Sequence, residues 1–172
     1  MERTTRYRDD HVVYAGVVGE NLAIASAGPR NHHQAVTDPG GCAPVTIDAK
    51  LFVPDADQPL PTVIIVPGSL GVGPTHEQHA EVLVGAGYAV CVIDPFGARA
   101  VTSTVANQTH YSFAASGFDV LATVLALRNR REVDADRIAA QGHSRGGSAV
   151  TIAACRRFAD PIVGPDVGLA AV

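Results

Sequence analysis

The chain has 172 residues, of which 47% are hydrophobic and 17% charged, and its formal net charge is −4. This length suits one domain that buries about two thirds of its unfolded surface, and the apolar content excludes a disordered chain. The negative charge argues against a nucleic-acid surface, and no apolar run reaches the roughly 18 residues of a membrane helix. The N-terminus has no secretory signal pattern and the three cysteines have no C-x-x-C spacing, so we expect a cytoplasmic protein in which Cys91 and Cys155 are buried free thiols.

Residues 1–42 are predicted to be an irregular N-terminal segment. It ends in a loop rich in glycine, asparagine, histidine and proline. His32 and His33 in this loop are predicted to face solvent, because no third metal ligand lies nearby in the sequence.

The pattern becomes regular from residue 43. Strands are predicted at 45–54, where apolar and polar residues alternate, at 62–68, which is a continuous β-branched run, at 88–97, and at the short segment 137–142. The second and third runs are apolar throughout, which is typical of strands buried on both faces. Apolar residues at helical spacing predict helices at 75–86, 113–130 and 146–158, and the run 167–172 predicts the opening of one more strand.

Strands that alternate with helices predict an α/β fold, with a mostly parallel sheet and helices on both of its faces. The start of the helix at 75–86 is predicted from a capping box formed by Thr75 and Gln78. In sheets of this kind, sites form at the C-terminal ends of the strands. The two glycine-rich loops that leave buried strands for helices are therefore the candidates.

The first of these loops runs from Gly68 to Thr75 and comes close to a phosphate-binding pattern. It has Pro74 where the lysine that contacts phosphate should stand, and His76 where a dinucleotide fingerprint has its third glycine. Both departures argue against a nucleotide. The sequence implies neither a metal nor an organic cofactor.

The second loop is Gly142-His143-Ser144-Arg145-Gly146, a G-x-S-x-G motif between a predicted strand and a predicted helix. A nucleophilic serine on a sharp strand-to-helix turn requires this setting, because side chains larger than glycine would clash on either side. Ser144 is therefore the predicted nucleophile. The alternative is a serine that only caps the turn.

A nucleophilic serine also needs donors for the oxyanion. One is the N–H that follows the serine, here that of Arg145. The other comes from the loop after an earlier strand, where Ser69 is the first choice and Leu70 the second.

Three segments in order, VIIVPGSLG, YAVCVIDPFGAR and VDADRIAAQGHSRGGSAV, resemble the dienelactone hydrolase-like branch of the α/β-hydrolase superfamily. The resemblance implies that residues 43–172 are the N-terminal part of an α/β-hydrolase domain that acts on carboxylic esters, lactones or related acyl compounds. Pro67 replaces a histidine of many members. Dienelactone hydrolase itself has a cysteine nucleophile, so Ser144 is closer to the esterase or peptidase-like relatives.

The candidate pocket residues are Leu70, Asp94, Arg99, His110 and His143, although Arg99 is equally well interpreted as a residue that fixes its own loop.

In this superfamily the triad acid and histidine follow the serine in the chain. No histidine follows Ser144, and the later carboxylates Asp160 and Asp166 fall in a helix-to-strand connection at the opposite edge of the sheet. The favoured interpretation is that a separate or missing chain supplies the C-terminal half of the hydrolase. In that case the chain alone leaves an apolar strand unpaired and self-associates.

Two alternatives to a missing half stay open. A rearranged triad would draw on Asp94 and on His76, His79 or His110. Alternatively, the chain is a non-catalytic binding or interaction module that keeps the elbow. Acyl transfer would use the same nucleophile as hydrolysis. In every case the predicted ligand is a small acyl compound, and neither nucleic acid nor membrane is expected as a partner.

Overall fold

The computed structural model describes residues 11–172. A short hairpin of β1 (Val13–Tyr14) and β2 (Val17–Val18) precedes the main sheet. The main sheet has five strands: β3 (Glu20–Gly28), β4 (Ala43–Phe52), β5 (Leu60–Val66), β6 (Ala89–Asp94) and β7 (Val133–Gly142). Their order across the sheet is β3-β4-β6-β5-β7.

The sheet is mixed. β4 is antiparallel to both of its neighbours, β3 and β6, whereas β5 is parallel to both β6 and β7. A parallel bridge between Ala139 and Ala171 begins one more strand outside β7, where the run 167–172 predicts one. The predicted α/β class is therefore confirmed, and the parallel half of the sheet is the half that carries both glycine-rich loops.

Helices cover both faces of this sheet. The helices are α1 (His32–Thr37), α2 (Pro74–Gly85), α3 (Phe113–Arg128), α4 (Arg145–Ala154) and α5 (Arg156–Val163). One face packs Ile65 and Val92 against Val84 of α2. The larger core lies on the other face, where α3 and α4 bury Leu121 and Val150 against the strands. Every residue of β6 is buried, as its continuous apolar run predicts. Within residues 11–172, none of the helices is both long and apolar enough to cross a membrane.

The prediction that residues 1–42 are irregular is wrong over the part that the structure describes; residues 1–10 lie outside it. β3 pairs with β4 from Glu20 opposite Leu51 to Gly28 opposite Ala43. The sequence of this strand, ENLAIASAG, consists mostly of small residues, and its apolar and polar residues alternate only weakly. The sequence therefore did not predict a strand there. Backbone pairing to β4 stabilises it instead. His32 and His33 are exposed, as predicted, but they lie on α1.

The predicted capping box at Thr75 and Gln78 is wrong. The N-cap of α2 is Gly73, Pro74 follows it, and the Nδ1 atom of His76 accepts a hydrogen bond of 3.2 Å from the Gly73 N–H. A proline at the first helical position fits this register, since its missing N–H is one that the helix leaves unpaired.

The single helix predicted at 146–158 is two helices, because Cys155 has an extended backbone between α4 and α5. The break leaves Cys155 exposed, which contradicts its prediction as a buried thiol. Cys91 is buried as predicted, and its burial raises the pKa of the thiol to about 12.

Candidate active site

The two glycine-rich loops leave the sheet side by side. β5 and β7 are parallel and pair to their last residues, Val66 opposite Gly142. A methyl group placed on Gly68 would lie 3.1 Å from the carbonyl oxygen of His143 and 3.5 Å from Cβ of Ser144. The first loop therefore contacts the serine turn directly, as the rule for parallel sheets predicts.

Ser144 has a strained backbone. Its φ of 53° and ψ of −116° lie in a region that non-glycine residues rarely adopt, at a cost of about 1–3 kcal/mol. The residue stands at the N-cap of α4, but its side chain makes no capping hydrogen bond. A serine that served only as a cap would accept one from the helix N-terminus. The capping alternative is therefore not supported.

The glycines on either side of Ser144 are required by close backbone packing. A methyl group on Gly142 would lie 2.1 Å from the carbonyl oxygen of Gly146, and one on Gly146 would lie 2.2 Å from that of Val66. Real Cβ atoms do not approach so closely. The G-x-S-x-G spacing thus lets α4 begin against the ends of β5 and β7.

Three backbone N–H groups of the two glycine-rich loops lack a hydrogen-bond acceptor in the described part of the chain. Those of Ser69, Leu70 and Arg145 donate no hydrogen bond to any residue in the range 11–172. Arg145 is the first residue of α4, where the helix dipole favours negative charge. These groups include both of the predicted oxyanion donors and the second choice, Leu70.

The side chain of Arg145 anchors the long loop between β6 and α3. Its guanidinium lies 4.3 Å from the ring centroids of both Tyr111 and Phe113. It also donates hydrogen bonds of 3.0 Å to the Gln108 carbonyl oxygen and 2.7 Å to that of Tyr111. Arg145 is buried. It therefore joins the serine turn to the loop that lies beside it.

Two of the predicted pocket residues belong to the framework. Asp94 ends β6, and its Oδ1 accepts hydrogen bonds from the N–H groups of Phe96 and Gly97 at 2.9 and 3.3 Å. Arg99 forms a two-pronged ion pair with Asp119 at 2.8 and 3.0 Å, with both side chains buried. Burial raises the pKa of Asp119, while the Arg99 guanidinium opposes that change. This ion pair supports the alternative interpretation, in which Arg99 fixes its own loop, and the assignment of Arg99 to a pocket stays a prediction.

The remaining predicted pocket residues lie at the surface of the loops. Leu70 is 77% exposed on the first glycine-rich loop, and His110 is exposed on the loop before α3. The exposed ring of His143 meets that of His76 edge to face, with 6.4 Å between centroids.

No triad partner for Ser144 is formed within residues 11–172, where no histidine hydrogen-bonds to its hydroxyl. Burial lowers the pKa of His76, whose Nδ1 is occupied by the Gly73 N–H. The Nδ1 atom of His79 lies 2.7 Å from Nε2 of Gln141. The same residues contain no cluster of three or more histidine, cysteine or carboxylate groups that could hold a metal ion.

Residues 74–159, half of the chain, match the sequence profile of the prolyl oligopeptidase family, Peptidase_S9. The chain belongs to that family. The matched range begins at α2 and ends in α5, so it includes Ser144 and both of its flanking glycines. No protein of curated function matches the chain.

Solved structures share the fold of this family member. A Klebsiella pneumoniae protein described as a dienelactone hydrolase has a TM-score of 0.55 at 20% identity, covering 79% of this chain and 55% of its own. The esterase Est22 has a TM-score of 0.58 at 18% identity, covering 87% and 43%. A dienelactone hydrolase-like promiscuous phosphotriesterase from metagenomic libraries has a TM-score of 0.51 at 19% identity, covering 78% and 54%. The chain thus spans about half the length of these structures. The predicted resemblance to dienelactone hydrolase-like α/β-hydrolases is confirmed.

Three residues that organise the site were not predicted. Asp119 could have been found, because it is the one charged residue in the otherwise apolar stretch FAASGFDVLATVLAL. A buried carboxylate of this kind requires a partner, and Arg99 is that partner. Tyr111 and Gln108 lie in a loop without periodicity, so nothing in the sequence indicated their contacts with Arg145.

Proposed function

We propose that the protein is a serine hydrolase of carboxylic esters, lactones or related acyl compounds, with Ser144 as its nucleophile. The observation that carries this proposal is the strained backbone of Ser144 at the start of α4, with no capping hydrogen bond and with Gly68 packed against it. Strain at a non-glycine residue persists where the surrounding structure enforces it, and nucleophilic serines of this fold require such a turn. The esterase and dienelactone hydrolase folds among its structural relatives agree with this substrate class.

The reaction follows from the arrangement of these groups. Ser144 Oγ attacks the acyl carbonyl carbon, and its proton passes through a general base to the leaving alcohol as the acyl C–O bond breaks. The N–H groups of Ser69 and Arg145 hold the negative charge that develops on the carbonyl oxygen. Water then attacks the acyl carbon, the bond from that carbon to Ser144 Oγ breaks, a proton returns to Oγ through the same base, and the carboxylic acid is released. An acceptor alcohol in place of water would give acyl transfer.

The general base and its acid partner are proposed to lie outside this chain. The α/β-hydrolase order places them after the nucleophile, on later strands. The parallel bridge of Ala171 to Ala139 puts Asp166 toward the starting edge of β7, away from the serine turn. The structural relatives, which are about twice as long, leave room for such strands. We therefore propose that the second half of the domain covers Ser144, which is exposed here.

A fluorophosphonate probe tests this proposal, because it reacts with serines that are activated as nucleophiles. The full-length protein, which includes the proposed second half of the domain, should react with the probe. Ser144→Ala should abolish this labelling. Ser148→Ala is the matched control, since Ser148 is an exposed serine one turn further along α4, and it should label like the wild type. Absence of labelling in the wild type would reject the hydrolase proposal in favour of a non-catalytic binding module.

A further inference from the structure

The loop of residues 100–112, between β6 and α3, holds the backbone of the first glycine-rich loop. The carbonyl oxygen of Ser69 accepts hydrogen bonds from the Thr104 N–H at 2.8 Å and from the Ser103 hydroxyl at 3.1 Å. Thr104 is fully buried. The carbonyl group of Ser69 is therefore held by two hydrogen bonds, while the Ser69 N–H has no hydrogen-bond acceptor among residues 11–172.

Gln108 in the same loop connects Ser69 with Arg145. Its Nε2 donates a hydrogen bond of 3.0 Å to the Ser69 hydroxyl. Its Oε1 accepts one of 3.2 Å from the Arg145 guanidinium, which also donates to the Gln108 carbonyl oxygen at 3.0 Å. One carboxamide thus links the two residues whose N–H groups are proposed to bind the oxyanion.

Contacts other than the link to Gln108 hold Arg145 in place. Its guanidinium lies 4.3 Å from the ring centroids of Tyr111 and Phe113, and its backbone begins α4. Ser69, in contrast, lies in a loop that has no regular secondary structure and is only partly buried. Arg145 is therefore the more extensively held member of the pair, and Gln108 connects it to Ser69.

We propose that Gln108 is a positioning residue that sets the separation of the two oxyanion donors, Ser69 N–H and Arg145 N–H. This inference rests on the proposed function, since it assigns a role to Gln108 within the same site. An oxyanion hole contributes through pre-positioned donors that meet the charge only in the transition state. A donor displaced by a fraction of an ångström therefore affects turnover more than substrate binding.

The first test is kinetic and uses the full-length protein, which includes the proposed general base. Gln108→Met keeps the length of the side chain and removes its hydrogen bonds with Ser69, Arg145 and Thr104. We expect kcat for p-nitrophenyl acetate to fall about tenfold while KM stays within twofold. Asn107→Ala is the matched control, because Asn107 is the neighbouring exposed residue and, within the part of the chain that the structure describes, its side chain hydrogen-bonds only with Thr109. The control should retain wild-type kcat. Equal losses in the two variants, or a change confined to KM, would overturn the proposal.

A double-mutant cycle tests whether Gln108 acts through Ser69. Ser69→Ala removes the hydroxyl that Gln108 contacts but keeps the N–H. If the link carries the effect, Ser69→Ala and Gln108→Met each lower kcat to a similar extent, and the double variant is no worse than either single variant within about twofold. Losses that multiply would show that the two residues act independently, which contradicts the proposal.

The second readout does not depend on activity, so it separates this inference from the proposed function. In two-dimensional ¹⁵N–¹H spectra, Gln108→Met should shift the amide resonances of both Ser69 and Arg145, and Asn107→Ala should leave them in place. Shifts of these amide resonances, without ester hydrolysis by the full-length wild type that includes the residues beyond this chain, would support the link and reject the hydrolase. Unchanged resonances of Ser69 would reject the link, whether or not the protein hydrolyses esters.

Discussion

Adding one methyl group at Gly146 should destabilise the protein strongly, whereas adding it at the next residue should stabilise it. The new Cβ at position 146 would lie 2.2 Å from the Val66 carbonyl oxygen and 2.8 Å from that of Pro67. Both atoms belong to backbone that cannot rotate away. At Gly147 the nearest atom is the Gly142 carbonyl oxygen at 3.4 Å, which is an ordinary contact.

The magnitudes follow from these distances. To restore normal contact in Gly146→Ala, the start of α4 must move about 1 Å away from the end of β5, and overpacking on this scale costs about 3 kcal/mol. Gly147→Ala adds a better helix former inside α4 and reduces the entropy of the unfolded chain, which stabilises by about 0.5–1 kcal/mol. The two variants should therefore differ by about 4 kcal/mol in the free energy of unfolding.

Urea denaturation followed by far-ultraviolet circular dichroism measures this difference. With an m-value of about 2 kcal/mol/M, the two midpoints should be about 2 M apart, with the wild type between them and nearer to Gly147→Ala. Both variants replace glycine by alanine within α4. If only the higher helix propensity of alanine mattered, both urea midpoints would move upward. That result would refute the close approach of α4 to β5 that forms the serine turn.

Three further predictions concern the serine turn, α2 and the thiols. In urea denaturation, Ser144→Gly should be more stable than Ser144→Ala by about 1 kcal/mol, because only glycine adopts the positive φ without strain. A more stable Ser144→Ala would contradict the strained turn. Because burial lowers the pKa of His76 below its ordinary 6.5, the unfolded state binds more protons and stability falls as the pH drops through about 6.5. His76→Gln, which can still accept the Gly73 N–H, should lose less stability than the wild type in melting experiments between pH 7.5 and 5.5, and an identical pH dependence would exclude His76 as a contributor. Ellman's reagent should modify the exposed Cys155 in the native protein within minutes and the buried Cys91 only after unfolding; rapid modification of Cys91 would contradict its burial.

The elements of the parallel half were predictable because their signals are local. β5 and β6 are runs of mostly apolar residues that are rich in valine and isoleucine. α3 has apolar residues at helical spacing and ends in an arginine. The serine turn was predictable for the same reason. Its glycines, its strand and its helix are contiguous, so the requirement for small residues around Ser144 can be read from five neighbouring positions.

Elements held by long-range pairing were not predictable. β3 has a weak pattern of its own and exists because β4 pairs with it over nine residues. The break between α4 and α5 at Cys155 has no glycine or proline beside it. The helical pattern in the sequence therefore continues across the break, which is why a single helix is predicted there. The N-cap of α2 fell at Gly73 rather than Thr75, because the side chain of His76 reaches back to the Gly73 N–H.

The sequence by itself determined the α/β class and the serine turn, because each depends on residue types within a few positions of one another. Only the tertiary structure decided what the polar residues of the β6–α3 loop do. Arg99 became a partner of Asp119 twenty residues later, and Gln108 a bridge between Ser69 and Arg145, which are separated from it by 39 and 37 residues. Side-chain hydrogen bonds across such distances leave no periodic trace in a sequence, since their geometry is set by the packing of whole elements.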